Sequence, residues 1–218
     1  MLRAKGHDVV EAPMLVLQPK LPERFDLEGV AALAVTSKRV AGLLAGHSQL
    51  GELARLPVYA VGDKTAEAMT STGFGDVRSA GGDVTQLGNL IAAGSPKGRV
   101  LYLAARERSG DLDVDLDECG IKCTTEVVYA MRQKDRLDDE ALLALEQGAI
   151  DAVLIYSRRT GDALVSALMA VGRMDLFQNL RVIAISRQSA AMIPEAACVE
   201  IAPHPSEEAL LEQALSGC

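Results

Sequence analysis

The sequence predicts an α/β protein with parallel sheets arranged in two similar halves. Short apolar runs alternate with amphipathic helical patterns along all 218 residues. This alternation is typical of parallel strands that are buried on both faces and joined by helices. Apolar residues make up 49% of the chain but aromatic residues only 3%, and such a core suits helices packed on strands better than an all-β sandwich. The order of elements in the first half also recurs in the second.

The apolar runs and helical patterns give the expected elements in order. The strand candidates are Val30–Val35, Val58–Val61, Arg99–Ala104, Cys123–Tyr129, Ala152–Tyr156, Arg181–Ile185 and Val199–Ala202. Clear helical patterns are Asp138–Gln147 and Ser206–Leu215. Ser206 is predicted to cap the last helix, because Glu207 and Glu208 follow in the first turn, where the helix dipole favours acidic side chains.

The internal repeat has one copy that begins at Val30 and a second that begins at Ala152. In each copy a strand ends in hydroxyl-bearing and basic residues, a helix follows, and a second strand ends in a similar turn. These turns are Thr36 to Arg39 and Gly62 to Ala66 in the first copy, and Ser157 to Arg159 and Ser186 to Ala190 in the second. Two similar halves predict two similar domains.

A second correspondence concerns the start of the chain. The segment 6–11 resembles the segment 120–125, and each leads into an extended stretch. A strand from Arg99 and a helix precede Gly120, whereas only five residues precede Gly6. We therefore expect the half that contains the N-terminus to lack its opening strand and most of its first helix. Either the chain continues upstream of Met1 or this copy is short.

Composition and charge narrow the classes of partner. The net charge of −8 argues against nucleic acid, which needs a basic surface. No apolar run is long enough to span a bilayer and no signal-like segment opens the chain, so neither membrane insertion nor secretion is expected. Cys119, Cys123, Cys198 and Cys218 lack metal-ligand spacing, and we interpret them as buried or incidental thiols in a reducing cytoplasm.

Hydroxyl and basic side chains recur where the predicted strands end. In open parallel sheets, ligands bind beyond the carboxyl ends of the strands, where the N–H groups of the following helices add positive potential. The candidate binding residues are Thr36, Ser37, Lys38, Gly62, Thr65, Arg106, Arg108, Ser157, Arg158, Ser186, Arg187 and Ser189. Together they predict a cleft for a polyanion or polycarboxylate. Singly, each has an ordinary alternative, because Ser and Thr cap helices and basic side chains in loops are solvated.

Motifs for several other chemistries do not occur in the sequence. It contains no Gly-x-x-x-x-Gly-Lys-Ser/Thr loop, no Gly-x-Gly-x-x-Gly after a strand and no Gly-x-Ser-x-Gly elbow. Gly73 follows a helical pattern and is expected to terminate it. A response-regulator-like domain is disfavoured, because Thr36 and Ser157 stand where a phosphorylatable Asp is required. A non-catalytic two-lobed module that binds a small polycarboxylate stays open as an alternative to an enzyme.

Short motifs in a fixed order resemble the uroporphyrinogen-III synthase family over nearly the whole chain. They are Gly6 to Pro13, Ala34 to Ser37, Ala60 to Ala66, Gly73-Phe74, Glu126 to Tyr129, Ile155 to Ser157, Ala184 to Ser186 and Pro205-Ser206. The chain departs from the family pattern in its missing opening strand, in Ser186 where a Gly is usual, and in the pair Arg158-Arg159.

The resemblance implies two flavodoxin-like domains that face each other across a cleft and are joined by a two-stranded linker. The first, discontinuous domain would comprise 1–17 and 132–218, and the second would comprise 18–128. The linker strands would lie near 15–19 and 127–131.

The resemblance also implies a substrate and a reaction. The substrate would be hydroxymethylbilane, a linear polycarboxylate tetrapyrrole that loses a hydroxyl, inverts ring D through a spiro intermediate and closes into uroporphyrinogen III. No metal or cofactor is implied, and the enzyme mainly has to hold one folded conformer. Tyr129 could protonate or orient the leaving hydroxyl, or it could be a packing residue of the linker. A monomer that receives its substrate from hydroxymethylbilane synthase is expected.

Overall fold

A computed structural model describes residues 1–108 and 110–216, and it leaves out the side chain of Asn179. The chain forms two compact units. Unit 1 comprises Met1–Val16 and Arg132–Cys218, and unit 2 comprises Leu17–Met131. That these units correspond to independently folding domains stays a prediction. Cys218, one of the thiols considered above, lies outside the described residues.

The described residues form two sheets, and the larger one, of six strands, lies mainly in unit 2. Its strands in spatial order are β1 (Leu15–Pro19), β6 (Cys123–Gln133), β5 (Arg99–Ala105), β2 (Val30–Val35), β3 (Val58–Ala60) and β4 (Val77–Ser79). The five strands from β6 to β4 are parallel. Strand β1 runs opposite to β6, because the Lys20 N–H donates to Val128 O and the Lys134 N–H donates to Met14 O.

The helices of unit 2 cover both faces of this sheet. They are α1 (Arg39–Leu44), α2 (Leu50–Leu53), α3 (Asp63–Ser71), α4 (Val84–Gly94) and α5 (Leu112–Glu118). Successive residues of a strand point to opposite faces, so Leu33 and Val35 enter one core cluster while Ala32 and Ala34 enter another. This burial on both faces explains why β2 is a continuous apolar run.

Unit 1 contains the smaller sheet, in which β7 (Ala152–Ile155), β8 (Arg181–Ala184) and β9 (Cys198–Ile201) are parallel and lie in that order. Its helices are α6 (Asp139–Glu146), α7 (Arg158–Ala170) and α8 (Glu207–Leu215), with short 3-10 helices at Arg3–Lys5, Met174–Asn179 and Arg187–Ala190. Helix α7 supplies much of the core, with Leu164 and Leu168 buried. Among the described strands, β7 pairs only with β8.

An ion pair and hydrogen bonds between charged and polar side chains connect the end of α8 to the smaller sheet. Arg181 on β8 forms an ion pair with Glu200 on β9, and its guanidinium also donates to the carbonyl oxygens of Gln213 and Ala214 at the end of α8. The Gln213 amide donates to Glu200 as well, at 2.7 Å. The hydrogen bonds from Arg181 and then from Gln213 lower the pKa of the Glu200 carboxyl to about 2.

The predicted fold class is confirmed, since both sheets are parallel-rich and carry helices between their strands. Most predicted strands match within about two residues, but β6 continues to Gln133. Strand β4 was not predicted, because its sequence Val-Arg-Ser offers no apolar run. Ser206 caps α8 through a bond from Ala209 N–H, and Gly73 ends α3 with φ of 106°, both as expected. Within the described residues, no helix is long and apolar enough to cross a bilayer.

Candidate functional site

The turn after β3, residues 61–65, is called the β3 turn. Gly62 precedes α3 in an extended conformation and has no side chain to cap the helix. Thr65, in the first turn of α3, is only 7% exposed. Among the described residues, the Thr65 hydroxyl has no hydrogen-bond partner. Although the residue is largely buried, its hydroxyl oxygen is not fully buried. The Thr65 hydroxyl therefore lies at the N-terminus of α3, in the same turn as the Asp63 carboxylate.

The turn after β2 carries Thr36, Ser37 and Lys38. Thr36 is half-buried, and its Oγ1 lies 3.0 Å from the hydroxyl of Tyr102 on the neighbouring strand β5. The Ser37 Oγ accepts a hydrogen bond from the Arg39 N–H at 3.3 Å, so Ser37 satisfies the first N–H group of α1, although the N-cap residue is Lys38. Lys38 is exposed.

The segment after β5 carries Arg106 and Arg108. Arg106 is exposed, and its backbone N–H donates to the carbonyl oxygen of Tyr129 at 2.8 Å. A nitrogen of Arg108 lies 3.7 Å from Asp113 Oδ2, an atom that also accepts from the Thr125 hydroxyl at 3.1 Å. The other carboxylate oxygen of Asp113 is buried without a partner among the described residues. Arg108 thus has a long ion-pair contact with Asp113, whereas the Arg106 side chain is exposed.

These unit 2 residues share one edge of the sheet. Strands β2, β3 and β5 are adjacent and parallel, and the Val61 N–H donates to Val35 O at 3.0 Å at their carboxyl ends. Thr36 comes directly after Val35 in the chain, and Gly62 comes directly after Val61. The sequence correctly predicts that these residues lie at the ends of neighbouring strands, and whether they bind a ligand stays a prediction.

Tyr129 lies on β6 with its side chain only 4% exposed, inside a core cluster of unit 2. This burial favours the packing role that the sequence left open. Among the described residues, the Tyr129 hydroxyl has no hydrogen-bond partner. Its role in chemistry stays a prediction.

In unit 1, Ser157 and Arg158 begin α7. The Ser157 Oγ accepts from the Thr160 N–H at 3.2 Å and lies 2.9 Å from the Thr160 hydroxyl, so the two hydroxyls satisfy each other. The Arg158 side chain is 58% exposed and lies 3.6 Å from Asp162, one turn further along the helix. Ser157 is therefore an ordinary helix cap in this structure.

The turn after β8, residues 185–189, is called the β8 turn. The Ser186 Oγ accepts from the Ser189 N–H at 3.2 Å and lies 2.9 Å from the Ser189 hydroxyl. Ser189 is 4% exposed, and Arg187 is exposed. A Cβ at Gly161 of α7 would lie 2.4 Å from the carbonyl oxygen of Ser189, so α7 packs directly on this turn. The β8 turn matches the β3 turn in position, but its hydroxyls are paired with each other.

Sequence reasoning missed Tyr102, which connects the core to the strand end at Thr36. Burial raises the pKa of Tyr102 above its ordinary value, while the bond to Thr36 and the Arg108 guanidinium act in the opposite direction. Burial likewise raises the pKa of the Cys123 thiol to about 11. A tyrosine inside an apolar run signals only a core position, so no local pattern could identify its partner. No cluster of three His, Cys, Asp or Glu able to hold a metal occurs among the described residues.

Comparisons with known proteins bear on this architecture. The solved structure of uroporphyrinogen-III synthetase from Helicobacter pylori 26695 is 26% identical and shares the fold, with a TM-score of 0.65 over 94% of this chain and 91% of that chain. A mutant uroporphyrinogen III synthase from Thermus thermophilus is 18% identical, with a TM-score of 0.49 over 94% of this chain and 88% of that chain. No curated protein matches the chain significantly.

The family model described as uroporphyrinogen-III synthase HemD matches residues 1–212. Because this match spans nearly the whole chain and the Helicobacter pylori structure shares the fold, the protein belongs to the uroporphyrinogen-III synthase family, a family of hydro-lyases in tetrapyrrole biosynthesis.

Proposed function

We propose that this chain converts hydroxymethylbilane to uroporphyrinogen III, with loss of water and inversion of ring D. Family membership supports the reaction, and the hydroxyls and cations after β2, β3 and β5 suit a substrate with many carboxylates. The candidate contacts in unit 2 are Thr36, Ser37, Lys38, Gly62, Thr65, Arg106 and Arg108. Those in unit 1 are Ser157, Arg158, Ser186, Arg187 and Ser189.

The observation that carries the proposal is the Thr65 hydroxyl at the start of α3. This side chain is almost wholly buried, and no described residue pairs with its hydroxyl. Packing therefore fixes the side chain, so binding a carboxylate there costs little further side-chain entropy. The first N–H groups of a helix lack intrahelical acceptors and favour an anion, and Gly62 leaves the approach to them open. We assign a substrate carboxylate to the Thr65 hydroxyl and these N–H groups.

The chemistry requires little covalent assistance from the protein. The bond between the hydroxymethyl carbon and its oxygen breaks with electrons supplied by the pyrrole, and the hydroxyl leaves as water once it receives a proton. The resulting electrophile is attacked by ring D to give the spiro intermediate, which opens and recloses with ring D inverted, and a ring proton is then lost. Holding the chain in one folded conformer directs this outcome, since closure without the enzyme leaves ring D unflipped.

The direct test is an assay of the purified chain with freshly generated hydroxymethylbilane, followed by chromatographic separation of the product isomers. Isomer III is expected with the protein, and isomer I is expected in buffer alone. Isomer I at the buffer rate in the presence of folded protein would contradict the proposal.

For Tyr129 we propose assistance to the departing hydroxyl. Tyr129→Phe removes the acidic group and little volume, so the rate should fall by about 10²- to 10⁴-fold, the range of general acid catalysis. Product that still forms on the protein should remain isomer III. Stopped-flow kinetics and a thermal melt separate the two roles: a wild-type rate removes Tyr129 from the chemistry, and a clear drop in melting temperature supports packing instead.

The proposal includes a monomer in the cytoplasm that takes hydroxymethylbilane directly from the synthase that makes it. The described residues include three free thiols, Cys119, Cys123 and Cys198, and the proposal places them in a reducing compartment. Light scattering coupled to gel filtration tests the monomer, and competition by a trapping reagent for released hydroxymethylbilane tests the handover.

A further inference from the structure

Tyr102 is a buried tyrosine whose hydroxyl reaches a proposed binding residue. It lies in the middle of β5, is 1% exposed, and packs in the core cluster with α4 and α5. Its hydroxyl lies 3.0 Å from Thr36 Oγ1, 66 residues away in the chain. Buried tyrosines usually find one partner for the hydroxyl, and for Tyr102 that partner is a half-buried side chain at the sheet edge.

The register of β2 and β5 explains how the contact forms. Tyr102 is aligned with Ala34, and Thr36 follows two residues later on the same face of the sheet. Because the Tyr102 hydroxyl reaches Thr36 Oγ1, the side chain spans the two residues from Ala34 to Thr36 along this face. The ring therefore carries its hydroxyl from the core to the carboxyl end of β2.

The surroundings keep Tyr102 protonated and therefore able to donate. Burial raises the pKa of Tyr102, and Asp113 and Tyr129 act in the same direction, against the Thr36 bond and Arg108. Thr36 Oγ1 can accept a hydrogen bond from the Tyr102 hydroxyl and still donate one of its own. A chain of two such hydrogen bonds is stronger than its members taken separately.

We propose that Tyr102 is a positioning residue: its hydroxyl donates to Thr36 Oγ1 and so turns the Thr36 proton outward, toward a carboxylate of the substrate. The inference rests on the proposed function, because it assigns Thr36 to substrate binding. Tyr102 itself does not touch the reacting atoms. Its contribution is to remove the alternative orientations of the Thr36 hydroxyl.

Tyr102→Phe is expected to raise the KM for hydroxymethylbilane about three- to tenfold, as the loss of one hydrogen bond predicts. The kcat should stay near the wild-type value, because the lost contact orients Thr36, which holds substrate and does not act on the leaving group. If the Phe variant fails to fold, Tyr102→Met is the second variant, because Met is flexible and lacks a hydroxyl. The same rise in KM is expected for it.

Tyr59 offers a matched control on the other side of Ala34. It is aligned with the same residue from β3, is 2% exposed, and belongs to the same core cluster. Its hydroxyl pairs with an Arg78 nitrogen at 3.1 Å, away from Thr36. Tyr59→Phe removes a buried tyrosine hydroxyl in the same core and should leave KM unchanged.

The decisive measurement is a double-mutant cycle in steady-state kinetics. Thr36→Val should raise KM, and Tyr102→Phe in that background should add nothing, because its target is gone. Additive effects of the two changes, or equal effects of Tyr102→Phe and Tyr59→Phe, overturn the inference. If the wild-type protein makes isomer III but Tyr102→Phe keeps its KM, only this inference fails. If the wild-type protein makes no isomer III, the proposed function fails with it.

Discussion

The β3 turn and the β8 turn occupy the same place in the internal repeat but differ in what they can offer a ligand. In the β3 turn, the cap is Gly62 and the Thr65 hydroxyl has no partner among the described residues. In the β8 turn, Ser186 accepts from the Ser189 N–H and pairs with its hydroxyl. A motif match therefore locates a turn, but the hydrogen bonds within it decide whether its donors are available.

The turns after β2 in unit 2 and after β7 in unit 1 also differ in whether their hydroxyls are paired within the turn. In unit 2 the Thr36 hydroxyl is held by Tyr102 from another strand, so one of its hydrogen-bonding positions stays open. In unit 1 Ser157 and Thr160 pair within the first turn of α7. The hydroxyls of Ser157 and Ser189 are thus paired within their own turns, whereas the Thr36 hydroxyl keeps one hydrogen-bonding position open.

The largest expected effect is a change in KM when a hydroxyl is removed from the β3 turn but not when one is removed from the β8 turn. Thr65→Val should raise the KM for hydroxymethylbilane about ten- to a hundredfold, because a hydrogen bond to a charged group is worth about 1.5–3 kcal/mol. Ser189→Ala should change KM far less, since that hydroxyl is already paired with Ser186. Thr72→Val is the control for α3, because the Thr72 hydroxyl donates to Ala68 O at 2.8 Å. Equal losses for Thr65→Val and Ser189→Ala would break the comparison.

The next effect concerns stability at the β8 turn. Gly161→Ala places a methyl group against the Ser189 carbonyl oxygen, and should lower the free energy of unfolding by about 1–3 kcal/mol. Gly42→Ala in α1 is the matched control, because its Cβ meets nothing within 4 Å. That change should stabilise the protein by up to about 1 kcal/mol. Denaturant titration of both variants measures the difference, and unchanged stability of Gly161→Ala would show that α7 can move off the turn.

Acid should weaken unit 1 before unit 2. The pKa of Glu200 is about 2 in the folded chain, held there first by Arg181, and about 4.3 when unfolded. Its stabilisation is complete above the unfolded value and is lost as the pH falls from about 5 toward 2. Glu200→Gln should cost about 1–2 kcal/mol at pH 7 and flatten this acid dependence. Peptide-resolved hydrogen exchange at pH 7 and pH 3.5 should show residues 181–215 opening first, and earlier opening of residues 58–79 would contradict it.

The smallest expected effect on KM comes from exchanging the N-cap residues of the two turns, Gly62 and Ser186. Gly62→Ser should keep the fold, since the backbone there is extended and the new Cβ meets nothing within 4 Å. The new hydroxyl should pair with Thr65 and raise KM about three- to tenfold, by removing one hydrogen bond to the substrate. Ser186→Gly should release the Ser189 hydroxyl, with a loss of a few tenths of a kcal/mol in helix capping. If Gly62→Ser binds substrate as the wild type does, the open cap is not what distinguishes the β3 turn.

The sequence by itself determined the α/β class, most strand positions and the turns at which functional side chains gather. These features follow from local patterns, because burial on both faces makes β2, β5 and β8 continuous apolar runs. The pairing of Ser186 with Ser189 also lay within reach of the sequence, since a serine cap three residues before another hydroxyl is a local arrangement.

Only the tertiary structure decided which hydroxyls remain available. The orientation of Thr36 depends on Tyr102, which the chain brings to it only through the parallel pairing of β2 with β5. The packing of α7 on the β8 turn depends on Gly161 meeting a carbonyl oxygen 28 residues away. Hydrogen bonds of this kind act over about 3 Å between residues distant in sequence, so no local period encodes them.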